Sequence, residues 1–208
     1  EVEFLHPVMV GLDIAGNGEA MQASSGLPDS WFIHDGQITK QAIRAFTLSS
    51  LAPRAGEHLW DLGAGSGSIG IEWLLSGPSM RATAVEKQPN RVDNIRQNAT
   101  TLGVDHLVVV ESNIIDAIYE LEKPDCIFIG GGLSEKLLDL LWTHMSDGTR
   151  LVVNGVTIET DRLLTSIQPR FGGHIQRLEI SNLQEIGTKH SWKASFPITQ
   201  WTVKKGYS

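Results

Sequence analysis

Cysteine is nearly absent from this chain. The one residue, Cys126, in a chain of 208, excludes an internal disulfide and fits a reducing, cytoplasmic setting. Long apolar runs are absent too: none approaches the ~20 residues that span a bilayer. The start, Glu1-Val2-Glu3-Phe4, lacks the basic and apolar stretches of a secretory signal. Basic blocks are missing, and 17 Lys and Arg against 24 Asp and Glu give a formal charge of −7. A nucleic-acid substrate calls for a basic stripe, so that class is disfavoured. A small anionic substrate stays open, because a local basic pocket can sit on an acidic surface. The 7 His residues show neither H-x-H nor H-E-x-x-H spacing, so no metal site is expected. No internal repeat is visible. The length suits one core and one domain with a modest extra segment.

What the chain does have is glycine in a particular place. In Leu59-Trp60-Asp61-Leu62-Gly63-Ala64-Gly65-Ser66-Gly67-Ser68 an apolar run ends in an acid, and glycines follow at alternate positions. A helical pattern opens immediately, at Ile69-Gly70-Ile71-Glu72-Trp73-Leu74-Leu75. This is a strand, a tight turn and a helix, with a backbone bare enough for a ligand to lie against it. Further on, Ala82-Thr83-Ala84-Val85-Glu86 reads as a second buried strand ending in a carboxylate. An acid at that tip, roughly 20 residues past the glycines, is placed to accept from both ribose hydroxyls of a nucleoside. The frame Gly63, Gly65, Gly67 begins at the strand end and resembles class I S-adenosylmethionine-dependent methyltransferases. A shifted dinucleotide frame, Gly65, Gly67, Gly70, is also satisfied, with its last glycine inside the helix. The third reading is a glycine turn that holds nothing.

The rest of the chain alternates β and α. A helix is expected from Thr39, as cap, to about Leu51. Strands are expected at His58–Leu62, Ala82–Glu86, Leu107–Val110, Asp125–Ile129 and Arg150–Asn154. Helices are expected over about 68–75, 89–102, 115–121, 134–145 and 157–167. Pro89 suits the first helical position and Gly103 the stop. Two longer strands, near 174–182 and 197–204, lack a helix between them. The fold class is α/β: a doubly wound, mostly parallel seven-stranded sheet, Rossmann-like, with a C-terminal antiparallel hairpin at its edge. The first residues read differently. Val8 to Ile14 alternates like a strand, and 15–26 has linker composition, so residues 1–25 are expected to be the tail of a preceding domain plus linker. The domain proper is then 26–208.

In such sheets ligands sit outside the carboxyl ends of the strands. Here those ends are Asp61-Leu62-Gly63, Glu86, Glu111-Ser112-Asn113, Gly130-Gly131-Gly132 and Asn154-Gly155. Asn113 can read an adenine amino group or simply cap the next helix. The triple glycine is either a flexible turn or a bare surface for a donor and a large flat substrate. Cys126, inside an apolar strand, reads as inert core.

Gly26-Leu27-Pro28-Asp29, Asp35-Gly36-Gln37-Ile38-Thr39-Lys40, the glycine loop, Glu86, Ile129-Gly130-Gly131-Gly132 and Pro197-Ile198-Thr199-Gln200-Trp201 together resemble the decarboxylating precorrin methyltransferases of cobalamin biosynthesis. The likeness runs from about Gly26 to the C-terminus and is greatest to the C-terminal half of the two-domain members. It implies loss of the C-12 acetate of precorrin-6B as carbon dioxide and methylation at C-15. The C-5 methylation would belong to a preceding domain. Cofactor contacts are then expected from Thr39, Asp61, Gly63, Ala64, Gly65, Ser66, Gly67, Glu86, Asn113, Ile114 and Gly130, with S-adenosyl-L-methionine becoming S-adenosyl-L-homocysteine. Substrate contacts are expected from Gly131, Gly132, Lys40 and Arg44. The catalytic candidates are His34, Gly131, Lys189 and His190, with Lys193 beside the last two in a loop, but no general acid is identified. A homotetramer is expected: the stand-alone relatives are tetramers, and Trp192, Phe196, Ile198 and Trp201 lie near the terminal hairpin. The alternatives are a small-molecule O- or N-methyltransferase, or a binding module that keeps the fold without activity. The lack of an Asn-Pro-Pro-Tyr or Asp-Pro-Pro-Tyr motif after strand four weakens N-methylation.

Overall fold

The structure is a computed structural model that describes residues 11, 13 and 15–206. The strand expected at Val8 to Ile14 lies outside the described residues except for Gly11 and Asp13. Helix α1 (Gln41–Leu51) leads into β1 (His58–Leu62), α2 (Ser68–Leu75), β2 (Arg81–Glu86), α3 (Pro89–Thr101), β3 (Val108–Glu111) and α4 (Ile114–Ala117). There follow β4 (Cys126–Ile129), α5 (Glu135–His144), β5 (Arg150–Gly155), α6 (Ile158–Phe171), β6 (His174–Leu178), β7 (Ser181–Ile186), β8 (Lys189–Ala194) and β9 (Ile198–Lys204).

Seven strands form one sheet in the order β3-β2-β1-β4-β5-β9-β6. The first five pair in parallel, and β9 runs antiparallel between β5 and β6. Every residue of β1 is buried, as a central strand covered on both faces must be. Alternation divides its side chains: Leu59 joins one apolar core, Trp60 and Leu62 the other. In α3, Val92, Ile95 and Ala99 form the buried stripe, at the spacing that gives a helix one apolar face. Ser134 and Thr157 cap α5 and α6 by accepting from Leu137 N–H and Thr160 N–H, each at 3.2 Å.

The antiparallel hairpin expected at the sheet edge is present: β9 pairs with β6, and β6 is the outermost strand. Three expectations are corrected. Thr39 does not cap α1: Lys40 occupies that position, without a side-chain cap. The strand expected near 174–182 is two strands, and the supposed loop carrying Lys189 and His190 is β8, paired with β7 in a separate two-stranded sheet. Finally, α6 runs past Ile167 to Phe171, with Pro169 inside its last turn.

Candidate active site

The glycine loop leaves β1 with Gly63, Gly65 and Gly67 all at positive φ, between 60° and 75°, a conformation glycine alone takes without strain. Gly67 has a second reason: a Cβ there would meet Ile95 at 2.8 Å, so the start of α2 could not sit so close to α3. The loop is pinned from below by two carboxylates. Asp61 accepts from Gly70 N–H at 3.0 Å. Glu86 accepts from Gly65 N–H at 3.0 Å with one oxygen, and from Lys87 and Gln88 N–H at 2.9 and 3.0 Å with the other. Burial pushes the Asp61 carboxyl up to about 7, partly offset by the Gly70 hydrogen bond and reinforced by the nearby Glu86 charge. Asp61 and Glu86 are both buried supports of the loop and lie behind the residues that line the cavity. Ser66 differs: its hydroxyl is buried without a hydrogen-bond partner, and the residue lines the cavity above the loop.

The segment 26–40 covers this loop and is fastened by side chains from behind. Glu72, 4% exposed, accepts from Gly26 N–H and Leu27 N–H at 2.6 and 3.0 Å and from Arg44. Arg44 also donates to Asp29 and to the carbonyls of Thr39 and Leu27. Asn98 on α3 exchanges hydrogen bonds with the backbone of Ile33 and donates to the Ser66 carbonyl at 3.0 Å. Arg91 donates to Asp35 and Gln37, which holds the Asp35 carboxyl below its usual value.

A cavity of about 1370 Å³ opens between this loop and the β7–β8 hairpin. Its wall includes Thr39, Lys40, Gly63, Ala64, Gly65 and Ser66, and continues through Gly130 to the end of β5 at Asn154. Lys193 and Asn182, cross-strand partners on the hairpin, close the far side.

Not every expected site residue comes to that cavity. Arg44 cannot clamp a substrate: it is fully buried and engaged with Glu72 and Asp29. Lys40 does reach the mouth, 3.5 Å from Asp29. His34, half-buried, accepts from Gly36 N–H at 3.0 Å outside the cavity wall. Lys189 and His190 lie toward the hairpin's tip, exposed and outside that wall, and only Lys193 of that strand's cations lines it. Asn113 caps α4, accepting from Ile115 N–H at 3.0 Å. Ile114 lies against the loop, 3.9 Å from where a Cβ on Gly63 would be. A Cβ on Gly131 or Gly132 would meet nothing within 4 Å, so that turn is open space beside Gly130. Cys126 is buried, and its thiol is pushed up to about 12 by that burial.

Sequence reasoning missed a polar cluster under the cavity. Thr47 from α1, Asn154 from β5 and Gln200 from β9 are all buried and hydrogen-bonded to one another. It also missed Glu72, although a lone acid in the apolar run Ile69–Leu75 was a readable sign of a buried partner.

This sheet order, the glycine loop after β1 and the acid at the tip of β2 define the fold of a class I methyltransferase. Residues 30–205 match the family model described as precorrin methyltransferase domain, and the chain belongs to that family. It is 44% identical over 206 residues to a Sinorhizobium protein named precorrin-6Y C(5,15)-methyltransferase [decarboxylating], covering 97% of this chain and 50% of that protein. The chain thus spans about half the length of this relative. A protein of Saccharolobus solfataricus, named probable cobalt-precorrin-6B C(15)-methyltransferase (decarboxylating), is 36% identical over 71% of this chain and 77% of its own. The crystal structure of the C-terminal domain of precorrin-6Y C5,15-methyltransferase from Rhodobacter capsulatus superposes with a TM-score of 0.86 at 43% identity, covering 89% of this chain and 100% of that one.

Proposed function

We propose that this chain methylates C-15 of precorrin-6B and decarboxylates its C-12 acetate to a methyl group, in cobalamin biosynthesis. The observation that carries the reading is the single cavity of about 1370 Å³ running from the glycine loop to the hairpin. It has room for a nucleoside cofactor and a macrocycle side by side. The loop fits S-adenosyl-L-methionine: positive-φ glycines line the cavity, and Ser66 holds a buried hydroxyl with no protein partner. That cofactor supplies an electrophilic methyl group on a sulfonium. Glu86 would take the ribose hydroxyls, and Asn113 the adenine. The reacting carbon of a reduced tetrapyrrole is enamine-like, so the chain's main task is to hold donor and carbon close and in line. Decarboxylation of the acetate breaks its CH2–CO2 bond, releases carbon dioxide, sends the electron pair into the conjugated macrocycle and ends with a proton taken up at the former CH2 carbon, which leaves a methyl group. Lys40 and Lys193, at opposite sides of the cavity, suit the carboxylates of the macrocycle.

The C-5 methylation is assigned to a separate preceding domain, of which residues 1–25 would be the tail and linker, and the setting to the cytoplasm. Among the described residues no helix is long and apolar enough to cross a membrane. A homotetramer is part of the proposal, with a narrower basis than the sequence offered: Trp201 is 0% exposed and belongs to the core, whereas Trp192 and Phe196 are 71% and 85% exposed. The reading is tested by incubating the chain with precorrin-6B and labelled S-adenosyl-L-methionine and following mass. One methyl gained and one carbon dioxide lost is the expected result. Two methyl additions per macrocycle would overturn the division of labour, and no change in the tetrapyrrole would overturn the substrate.

A further inference from the structure

We infer that Asn154 is a substrate-binding residue, whose carboxamide donates a hydrogen bond to a side-chain carboxylate of the tetrapyrrole. The inference rests on the substrate class proposed above. Asn154 is 5% exposed at the carboxyl end of β5, and it lines the cavity.

Its orientation is fixed by neighbours whose own roles are fixed. Thr47 Oγ1 donates to the Ile43 carbonyl at 2.7 Å, so toward Asn154 it can act only as acceptor, and Asn154 Nδ2 donates to it at 2.9 Å. Gln200 Nε2 likewise donates to Thr47 Oγ1, at 3.4 Å, and to Asn154 Oδ1 at 2.9 Å, while its Oε1 meets the Ser50 hydroxyl at 2.7 Å. A flipped Asn154 amide would set acceptor against acceptor at Thr47 and donor against donor at Gln200. One Nδ2 hydrogen goes to Thr47. The other has no partner among the described residues, and a buried donor left unmatched is costly.

The strand order says which ligand meets it. Thr39 apart, the residues assigned to the cofactor lie at the ends of β1, β2, β3 and β4 or just after them, and β5 lies on the other side of β4 from β1. Asn154 is thus on the side of the cavity away from Glu86. Lys193 and Lys40 line the same cavity, and an amide adds a donor at a buried position where a further charge would need its own counter-ion.

The test uses the full chain with Asn154→Ala and Asn154→Asp, measuring S-adenosyl-L-homocysteine affinity by calorimetry and the KM for precorrin-6B. Both variants should bind the homocysteine product like wild type. The Ala variant should raise the tetrapyrrole KM about tenfold or more, the usual effect of losing a hydrogen bond to a charged group. The Asp variant should raise it further, because it sets a like charge against the carboxylate. Thr47→Val, which leaves the cavity wall untouched but frees the amide to turn, should raise KM by a smaller factor; it decides the matter should either Asn154 variant fail to fold. Unchanged KM in folded variants, or loss of cofactor affinity instead, overturns the assignment. Wild type that leaves precorrin-6B untouched overturns the substrate reading and this inference with it, whereas an active wild type with unaffected variants sinks only the role of Asn154.

Discussion

The two sides of the cavity are built to different standards. On the glycine-loop side every support is buried and hydrogen-bonded: Asp61 under Gly70, Glu86 under Gly65, Glu72 and Arg44 behind the covering segment. On the opposite side, β7 and β8 are exposed along their whole length, and Ser195 N–H donating to Ile180 O closes their base. A two-stranded hairpin alone is marginal in water. The contrast assigns different tasks. The loop side is held by its own buried hydrogen bonds, as suits a cofactor common to every turnover. In the function proposed above, the hairpin side would be completed by what it meets: a macrocycle against Asn182 and Lys193, which line the cavity, and a second subunit against the exposed Trp192.

The largest effect is expected at the turn after β4, where Gly130 lines the cavity and Gly131 follows it. Gly131→Val should abolish turnover while the fold survives, since its Cβ meets nothing within 4 Å in the protein and the branched side chain would fill the space between donor and macrocycle. Normal turnover in that variant would remove this loop from the active face. Next comes the loop side itself. Glu86→Ala should lose about 2–3 kcal/mol of S-adenosyl-L-homocysteine affinity by calorimetry, the scale of a charge-assisted hydrogen bond. Unchanged affinity would place the ribose elsewhere.

The hairpin side should answer in assembly rather than affinity. Trp192→Ser should convert a tetramer to smaller species in light scattering, with little loss of folding, because the side chain is 71% exposed in the single chain. A monomeric wild type at micromolar concentration would end the tetramer proposal. A subtler effect belongs to Asp61. Its folded carboxyl is raised from 3.8 to about 7, so the folded state holds that proton more tightly than the unfolded chain. Its contribution to stability is therefore greatest below about pH 4 and fades as pH rises towards 7. Asp61→Asn keeps an acceptor for Gly70 N–H, and its melting temperature should gain on wild type across that window; parallel curves would contradict the shift. The smallest effect is expected from removing residues 1–25. The described part from Ala15 to Ser25 is exposed, so cofactor binding and melting should hardly move. A large loss of stability would make that segment integral to the fold.

The sequence was legible where one local pattern decides the structure, and less so where partners are distant. The strand, glycine loop and helix from His58 to Leu75 could be read outright, because backbone conformation and burial are written in adjacent residues. The antiparallel pairing of the last long strands was also readable, from the lack of a helix between them. The β7–β8 hairpin was not: its residues are polar or exposed, with no core-facing alternation to mark strands. Arg44 looked like a surface cation because its partner, Glu72, is 28 positions away in sequence. Trp201 looked like part of an exposed edge because the insertion of its strand between β5 and β6 is a fact of topology alone.

Hydrogen exchange tests the contrast between the two sides most directly. Amides of residues 63–67 should be protected by S-adenosyl-L-homocysteine alone, and those of 181–194 only when precorrin-6B is added as well. Protection of the hairpin by the cofactor product alone, or none when the tetrapyrrole binds, would contradict a cofactor side held by its own hydrogen bonds and facing a roof completed by its substrate.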